Sequence, residues 1–285
     1  MPTHRIELAS EPGLPDRTNE DLALATPELA VVLDGVTPHP DGSGCLHDVP
    51  WYVRRLGAAL FTAATEEPGR PLADCLAAAI AQVAERHAGS CDLAHPRTPQ
   101  STVAAVRIGP EEVEYLVLSD SVLLIEGFGG EVSAIEDDRL RRLPEPVPSL
   151  RAAVRAAAEA SGEGSAEHTA ARRAYVAAVE GLRNAPDGFF TAAAAPAAAH
   201  AAVAGRLPRS AARGLALLTD GAARLVEVFG TEDWADTFRR LRTEGPEGLV
   251  AAVRKAEAAD PDGTEVPRGK PTDDATAVLV RLDQN

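Results

Sequence analysis

The sequence predicts an α+β protein that combines short antiparallel strands with amphipathic helices. Residues 101–135 contain short β-rich runs separated by Gly and acidic residues. Strands this close in sequence usually pair as an antiparallel meander. Residues 51–65 and 71–88 carry apolar side chains at helical spacing, which indicates two helices packed on a core. A third feature, strand-like apolar runs that meet an Asp, indicates where the functional site lies.

Three predicted strands have an acidic residue at one end. One apolar run leads directly into Asp34-Gly35, and a second leads through Thr219 into Asp220-Gly221. Asp273 lies just before the final predicted strand, residues 275–282. A short apolar run bounded by turn residues is typical of a buried strand. We therefore expect Asp34, Asp220 and Asp273 to converge on one acidic site.

A further acid, Asp120, lies at a turn of the predicted meander, between Ser119 and Ser121. An ordinary hairpin turn accounts for Asp120 as well as a role in the acidic site does. Both interpretations stay open from the sequence alone.

The composition excludes several classes of partner. The chain has 285 residues, 45% of them hydrophobic, and a formal charge of −15. This acidic balance argues against nucleic acid and anionic membranes, because phosphate binding needs clustered Lys and Arg. The three cysteines show no disulfide framework, and the N-terminus has no apolar segment typical of a signal peptide. We expect free thiols and a cytoplasmic protein, and the Ala- and Arg-rich composition is typical of a high-GC genome.

We expect one domain across residues 1–285, because neither an internal repeat nor a convincing linker is evident. Residues 137–213 are rich in Ala, Arg and Glu, which predicts a helical insertion or flap beside the site. Helices are also expected near 222–229, 231–243 and 246–259.

The loop after Asp34 contains Cys45-x-His47, which could be half of a zinc site. We find no second half with ligand spacing in the sequence. A loop that simply folds over the acidic site is therefore the favoured interpretation.

Convergence of the acids would demand cations. Two carboxylates ~4 Å apart repel by about 4 kcal/mol at an effective dielectric near 20. Oxygen-only ligands favour Mg²⁺ or Mn²⁺ over Zn²⁺. Two such ions ~3.5–4 Å apart can activate water and clamp a phosphoryl oxygen, which predicts chemistry on a phosphate.

The order of these motifs resembles the metal-dependent type 2C protein phosphatase family (PPM). That family carries Asn-Glu-Asp, a strand ending in Asp-Gly, a Thr-rich strand, Gly-Asp-Ser, a strand ending in Ser-Asp-Gly, and Asp-Asn-x-Thr before the last strand. The matching segments here are Asn19-Glu20-Asp21, Asp34-Gly35, Ser101-Thr102, Ser119-Asp120-Ser121, Thr219-Asp220-Gly221 and Asp273-Asp274-Ala275-Thr276. Each motif alone is weak, but six in this order span residues 17–280.

The resemblance implies a fold and a set of roles. The implied fold is two antiparallel β-sheets packed as a sandwich and flanked by α-helices. Asp34 would bridge two metal ions, with the Gly35 carbonyl on one of them, while Asp220 and Asp273 would bind the second. Asp120 would help to hold a third, weaker ion. The resemblance also implies that Glu20 orients water on the metals and that Arg17 binds the phosphate.

The chain departs from the family at positions that face the substrate. Arg17 lies three residues before Glu20 rather than four, and Val122 stands where the family has Arg. The Gly-Gly-His segment that usually follows Asp-Gly is replaced, so that His39 and His47 become the candidates for an acid that protonates the leaving group. The metal-binding acids are kept while these positions differ, which indicates a divergent bacterial member.

We consider three functions. The leading one is a Mn²⁺- or Mg²⁺-dependent phosphatase acting on phosphoserine or phosphothreonine in proteins. The second is a phosphatase of a small phosphorylated metabolite, and the third is a catalytically silent module that binds a partner. The sequence does not predict the oligomeric state.

Overall fold

A computed structural model describes residues 4–37 and 42–283. Within these residues the strands form two antiparallel five-stranded sheets, and α-helices accompany both. The strands are Arg5–Glu11 (β1), Leu22–Thr26 (β2), Leu29–Gly35 (β3), Ser101–Ile108 (β4), Glu112–Leu118 (β5), Val122–Glu126 (β6), Val132–Glu136 (β7), Val203–Pro208 (β8), Gly214–Leu218 (β9) and Ala275–Arg281 (β10).

The first sheet has the spatial order β1-β10-β9-β6-β7, and the second has the order β2-β3-β4-β5-β8. Apolar side chains from both sheets share one core, in which Val32, Val106 and Val117 of the second sheet meet Leu123, Leu217 and Val280 of the first. Because each strand alternates its side chains, the opposite face of each sheet is left for helices. This arrangement is the predicted sandwich.

The helices are Val49–Glu66 (α1), Leu72–His87 (α2), Val147–Ser161 (α3), Ala166–Gly181 (α4), Asp220–Glu227 (α5) and Trp234–Ala259 (α6). Helix α1 packs on β3 of the second sheet. Helices α5 and α6 cover the first sheet, where Phe238, Leu249 and Val253 pack against Leu279. Helix α6 contains a kink at Gly245, whose φ of 76° is accessible to glycine and unfavourable for other residues. The two helices expected at 231–243 and 246–259 are the two arms of α6.

The chain divides into two compact units. The first comprises residues 1–137 and 192–285 and contains both sheets. The second comprises residues 138–191 and is built on α3 and α4, with a small core of Leu143, Val147 and Phe189. The helical prediction for 137–213 extends too far, because Val203–Pro208 is a strand paired with β5. The Ala-rich run just before this segment gives no strand signal, and pairing to the edge of β5 decides the structure of residues 203–208.

The expected meander is also wrong. Strand β4 pairs with β5, and β6 pairs with β7, but β5 and β6 belong to different sheets. The chain therefore crosses between sheets at Ser119-Asp120-Ser121. Ser119 turns this corner with a φ of 67°, and its backbone N–H donates to the Asp137 carboxylate at 3.0 Å. An ordinary hairpin turn at Asp120 is excluded.

Within the described residues, none of the helices combines the length and the apolar character that crossing a membrane requires.

The shared core between the sheets should dominate stability. Leu123→Ala should destabilise the protein by about 2–5 kcal/mol, because the buried side chain leaves a cavity between two packed sheets. The control is Leu8→Ala in β1 of the same sheet, where the side chain is 49% exposed, and its effect should stay within about 0.5 kcal/mol. Urea denaturation of both variants measures the difference, and equal losses would contradict the assignment of this core.

Candidate functional site: an acidic cluster at the strand ends

The two sheets bring together acids that are far apart in the sequence. Asp34 lies at the end of β3 in the second sheet. Asp220 begins α5, which follows β9, and Asp273 lies just before β10. Strands β9 and β10 both belong to the first sheet. The carboxyl groups of Asp34 and Asp220 lie close enough for each to shift the pKa of the other, and the charge of Asp273 raises the pKa of Asp220. The packing of the sheets therefore gathers the acids that the sequence singles out.

Burial and mutual repulsion make these acids hard to ionise together. Burial raises the pKa of Asp34 well above its usual range, and the charges of Asp220 and Asp21 raise it further. Burial also raises the pKa of Asp220, with a further contribution from Asp273. The cluster therefore cannot keep all of its carboxylates charged unless positive charge lies nearby.

The cluster is more open than a filled metal site. Among the described residues, one group of His, Cys, Asp or Glu side chains has ligand atoms that all lie within 4.8 Å of one another. This group is Cys45, His47, His87 and Cys91, and it contains no Asp or Glu. The acids do not form such a tight group, as expected for like charges that repel.

A basic residue compensates Asp273. Lys270 Nζ lies 2.7 Å from Asp273 Oδ1. Although burial lowers the pKa of Lys270, the charges of Asp273 and then of Asp220 and Asp34 outweigh burial and raise it. The ammonium group thus supplies one positive charge at the edge of the cluster. It is one of two Lys in the chain, yet nothing in the sequence marked it as part of the site.

Asp273 is positioned by a second cation. Arg224, on α5, is buried and lies 3.2 Å from Asp273 Oδ2 and 2.7 Å from Glu257 Oε1. Glu257 belongs to α6 and also pairs with Arg254 at 2.7 Å. This network ties the segment before β10 to two helices. Sequence analysis missed it, because these residues lie outside all the motifs and meet only in the fold.

Two glycines of the motifs are fixed by close backbone approach. A Cβ at Gly35 would lie 2.3 Å from Val49 Cγ1 and 2.7 Å from the Glu20 carbonyl oxygen. A Cβ at Gly221 would lie 1.9 Å from the Asp274 carbonyl oxygen. All three distances are far below van der Waals contact, so only glycine fits at either position. The Asp-Gly pairs therefore serve packing between motifs as well as placing the acids.

Glu20 is held by the last motif. The Asp274 carboxylate accepts hydrogen bonds from the Glu20 backbone N–H at 2.6 Å and from the Gly13 N–H at 2.7 Å. The Glu20 side chain accepts a bond from the Thr37 hydroxyl at 2.9 Å, and burial raises its pKa. Asp274, where the family has Asn, thus acts here as an acceptor for two backbone amides.

Asp21 is a further acid, to which the sequence assigned no role. It is buried; its Oδ2 accepts from the Thr219 hydroxyl at 3.0 Å, while its Oδ1 has no hydrogen-bond partner among the described residues. Burial raises its pKa to about 8, and the charge of Asp220 contributes. An unpartnered buried carboxylate oxygen is costly unless a ligand or water satisfies it. Its place in Asn19-Glu20-Asp21 was the available clue.

Asp120 joins the cluster from the crossing between sheets. Burial and the charge of Asp220 raise its pKa to about 6, which places it near the main acids. Its Oδ1 accepts from the Ser119 hydroxyl at 3.2 Å.

The remaining predicted residues are less closely tied to the cluster. The Arg17 side chain is exposed and makes no hydrogen bond or ion pair with the residues that the structure describes. His39 lies outside the described residues. His47 is engaged with Cys45 and Cys91 and stacks on Trp51.

The comparison with protein families decides the identity. The sequence profile of the family described as "Protein phosphatase 2C" matches residues 21–255. The chain belongs to the protein phosphatase 2C family. The resemblance inferred from the motifs is confirmed, and the protein is a phosphatase, a hydrolase, of this family. No curated protein sequence matches the chain.

Solved phosphatases of the same class share the fold. The Mycobacterium tuberculosis serine/threonine phosphatase PstP is 16% identical, with 99% of each chain covered and a TM-score of 0.58. PppA of Pseudomonas aeruginosa is 20% identical over 98% of each chain, with a TM-score of 0.54. A PstP catalytic domain solved with two manganese ions is 16% identical over 100% of each chain, with a TM-score of 0.57. These matches confirm the predicted α+β sandwich.

The raised pKa values predict the behaviour of the metal-free protein. An unfolded Asp ionises near pH 3.9, so a folded Asp34 with a raised pKa makes the folded state lose stability as the pH rises above about 4. Asp34→Asn removes this loss, and the Asn amide can donate to the Asp220 carboxylate. Metal-free Asp34→Asn should therefore melt no lower than metal-free wild type at pH 7, and its relative advantage should shrink toward pH 5.

The matched control is Asp262→Asn, which neutralises an exposed acid. Its melting temperature should follow that of wild type at both pH values. Thermal melts with chelator test both variants, and a markedly lower melting temperature for metal-free Asp34→Asn at pH 7 would show that Asp34 is a structural turn residue.

Proposed function

We propose that this phosphatase hydrolyses phosphoserine and phosphothreonine in proteins, with divalent cations held by the acidic cluster. The observation that carries the proposal is the convergence of Asp34, Asp220 and Asp273 from two different sheets, where burial raises the pKa of Asp34 and of Asp220. A folded protein accepts such repulsion where a cation offsets it in the working state. Family membership supports the same conclusion.

The donor set fits Mn²⁺ or Mg²⁺. The candidate ligands are the carboxylates of Asp34, Asp220 and Asp273 and the Gly35 carbonyl, all hard oxygen donors. The mutual repulsion of Asp34 and Asp220, and the ammonium group of Lys270 beside Asp273, mark positions where positive charge is favoured. PstP, which shares the fold, was solved with two manganese ions. We assign two ions to the main cluster and a third, weaker one to Asp120.

Bound ions would supply Lewis acidity and lower the pKa of nearby water to about 7. The protein's own residues would do the rest. Glu20, held by Asp274 and Thr37, would accept a hydrogen bond from the attacking water and so orient it. Arg17, with its exposed guanidinium group, would bind the phosphate oxygens of the incoming substrate.

The substrate class, the domain organisation and the cellular location are predictions. A phosphorylated protein is the expected substrate class of the family, whereas the individual substrate and the oligomeric state are not assigned. We propose that residues 1–285 act as one phosphatase-like domain and that the helical unit, 138–191, is its insertion. The cytoplasmic location expected from the sequence also stays a prediction.

Activity should depend on added metal. Wild-type protein should hydrolyse p-nitrophenyl phosphate with Mn²⁺ or Mg²⁺, lose activity with EDTA, and respond less well to Zn²⁺, since the proposed ligands are oxygen atoms. Asp34→Asn should lower the rate by several orders of magnitude with Mn²⁺, because it weakens the binding of two ions. Asp273→Asn should be less damaging and Asp120→Asn the mildest. Equal activity in metal-free wild type would refute the proposal.

A substrate panel separates the remaining alternatives. Phosphoserine and phosphothreonine peptides should be hydrolysed with a kcat/KM at least about tenfold above that of sugar and nucleotide phosphates, which is a difference of roughly 1.4 kcal/mol in transition-state binding. Preference for a small phosphate would favour the metabolite phosphatase. Absence of turnover on every substrate, with intact Mn²⁺ binding, would favour the silent binding module.

A further inference from the structure

A second cluster of ligand side chains lies outside the acidic site. Cys45 and His47 belong to the loop before α1, His87 is the last residue of α2, and Cys91 follows four residues later. One ligand atom from each of the four lies within 4.8 Å of all the others. The proposed phosphatase mechanism uses none of these groups, so their convergence needs its own explanation.

The sulfur–nitrogen distances match a tetrahedral metal site. Cys45 Sγ lies 3.4 Å from His87 Nδ1 and 3.7 Å from His47 Nδ1, and Cys91 Sγ lies 3.5 Å from His47 Nδ1. With Zn–S near 2.3 Å and Zn–N near 2.0–2.1 Å, tetrahedral geometry places such atoms about 3.6 Å apart. The three distances bracket that value.

The sulfur–sulfur distance needs a small adjustment. The Sγ atoms of Cys45 and Cys91 lie 2.8 Å apart, and both thiols are free. Two sulfurs on one zinc ion would lie about 3.8 Å apart, whereas a disulfide needs about 2.05 Å. Cys45 and Cys91 are both partly exposed, so rotation of either side chain about its Cα–Cβ bond can increase the distance between the two sulfur atoms. The two histidines distinguish this cluster from an ordinary cysteine pair, because a disulfide bond forms between the two sulfur atoms alone.

Backbone amides donate to both sulfur atoms of the cluster. The Leu46 backbone N–H donates to Cys91 Sγ at 3.3 Å, and the His47 N–H donates to Cys45 Sγ at 3.4 Å. Backbone donors directed at sulfur favour the charged form, which is the form that binds metal. These contacts come from the same short loop that carries two of the ligands.

The two histidine rings are held by packing. His87 is only 1% exposed, and its Nε2 atom has no hydrogen-bond partner among the described residues. His47 stacks on Trp51 with ring centroids 3.9 Å apart. The nitrogen of His87 that faces the cluster is Nδ1, which lies 3.4 Å from Cys45 Sγ, so burial and this contact fix the orientation of the ring.

We propose that Cys45, His47, His87 and Cys91 form a structural Zn²⁺ site. The ligand spacings are Cys-x-His in the loop and His-x3-Cys at the end of α2, and two thiolates with two imidazoles are a ligand set that zinc prefers. Four protein ligands close the coordination sphere, so the ion has no open position for a substrate. The second half that the sequence did not reveal is His87-x3-Cys91.

The site would fasten the loop that follows the acidic strand β3. In the same region the Asp92 backbone N–H donates to the Gly44 carbonyl at 2.8 Å, so the two segments already run together. Asp48, directly after the ligand His47, caps α1 through a bond from the Trp51 N–H at 2.8 Å. Zinc would thus tie the loop, the start of α1 and the end of α2 into one unit.

Metal content of the purified protein tests the proposal. Protein expressed with zinc in the medium and purified with a phosphine reductant and excess Mg²⁺, which occupies the oxygen sites, should carry one Zn²⁺ per chain. The double variant Cys45→Ser/Cys91→Ser should carry none. Cys75→Ser is the matched control, because Cys75 is buried and lies outside the cluster, and it should keep its zinc. Asp34→Asn should also keep zinc, which separates this site from the phosphatase site.

Cobalt substitution gives a readout that does not depend on the variants folding. Wild-type protein loaded with Co²⁺ in the presence of Mg²⁺ should show a sulfur-to-cobalt charge-transfer band and the intense visible bands of tetrahedral Co²⁺. Absence of both bands in folded, reduced protein would overturn the proposal. Zinc retained by the double variant would also overturn it, as would a Cys45–Cys91 disulfide found by alkylation and mass spectrometry in protein isolated from reducing cytosol.

Discussion

Repulsion among carboxyl groups is the constraint on which the rest of the structure depends. Asp34 arrives from one sheet and Asp220 and Asp273 from the other, so the packing of the sandwich forces the acids together. The protein offsets part of this repulsion locally with Lys270, which lies beside Asp273. The core between the sheets must supply the stability that the acidic cluster removes. A site of this kind is strained without its ions and relaxed with them, which couples metal binding to folding stability.

The sequence predicted the structure best where a local pattern is compatible with only one local conformation. The apolar run into Asp34-Gly35 predicted a buried strand with an acid at its end, and β3 has that form. Gly35 and Gly221 are determined in a similar way, because close contacts exclude any side chain at either position. Helices α1 and α2 were predictable from their apolar spacing. In each case the local pattern and the packing of the whole molecule require the same residue, so local reasoning suffices.

Sequence reasoning failed where long-range pairing decides the structure. Strands β5 and β6 are close neighbours in the chain, yet they belong to different sheets, and Asp120 lies at the crossing because of it. Strand β8 follows an Ala-rich run and forms because the edge of β5 offers partners for its backbone. Arg224 and Glu257 meet Asp273 across two helices and a loop. Spacing along the chain carries no information about such contacts, which require the three-dimensional fold.

The two candidate metal centres differ in chemistry, and this difference allows both to function in one molecule. The acidic cluster offers only oxygen donors, which suit Mg²⁺ and Mn²⁺, whereas the Cys–His cluster offers sulfur and imidazole nitrogen, which suit zinc. Where the two kinds of ion are both available, the soft ligands would retain zinc and leave the oxygen site to the harder and more abundant ions. The loop between them begins at the end of β3, directly after Gly35, and carries Cys45 and His47 further on. An ion held by Cys45 and His47 would fix residues 42–48 of this loop against the end of α2 without entering the reaction.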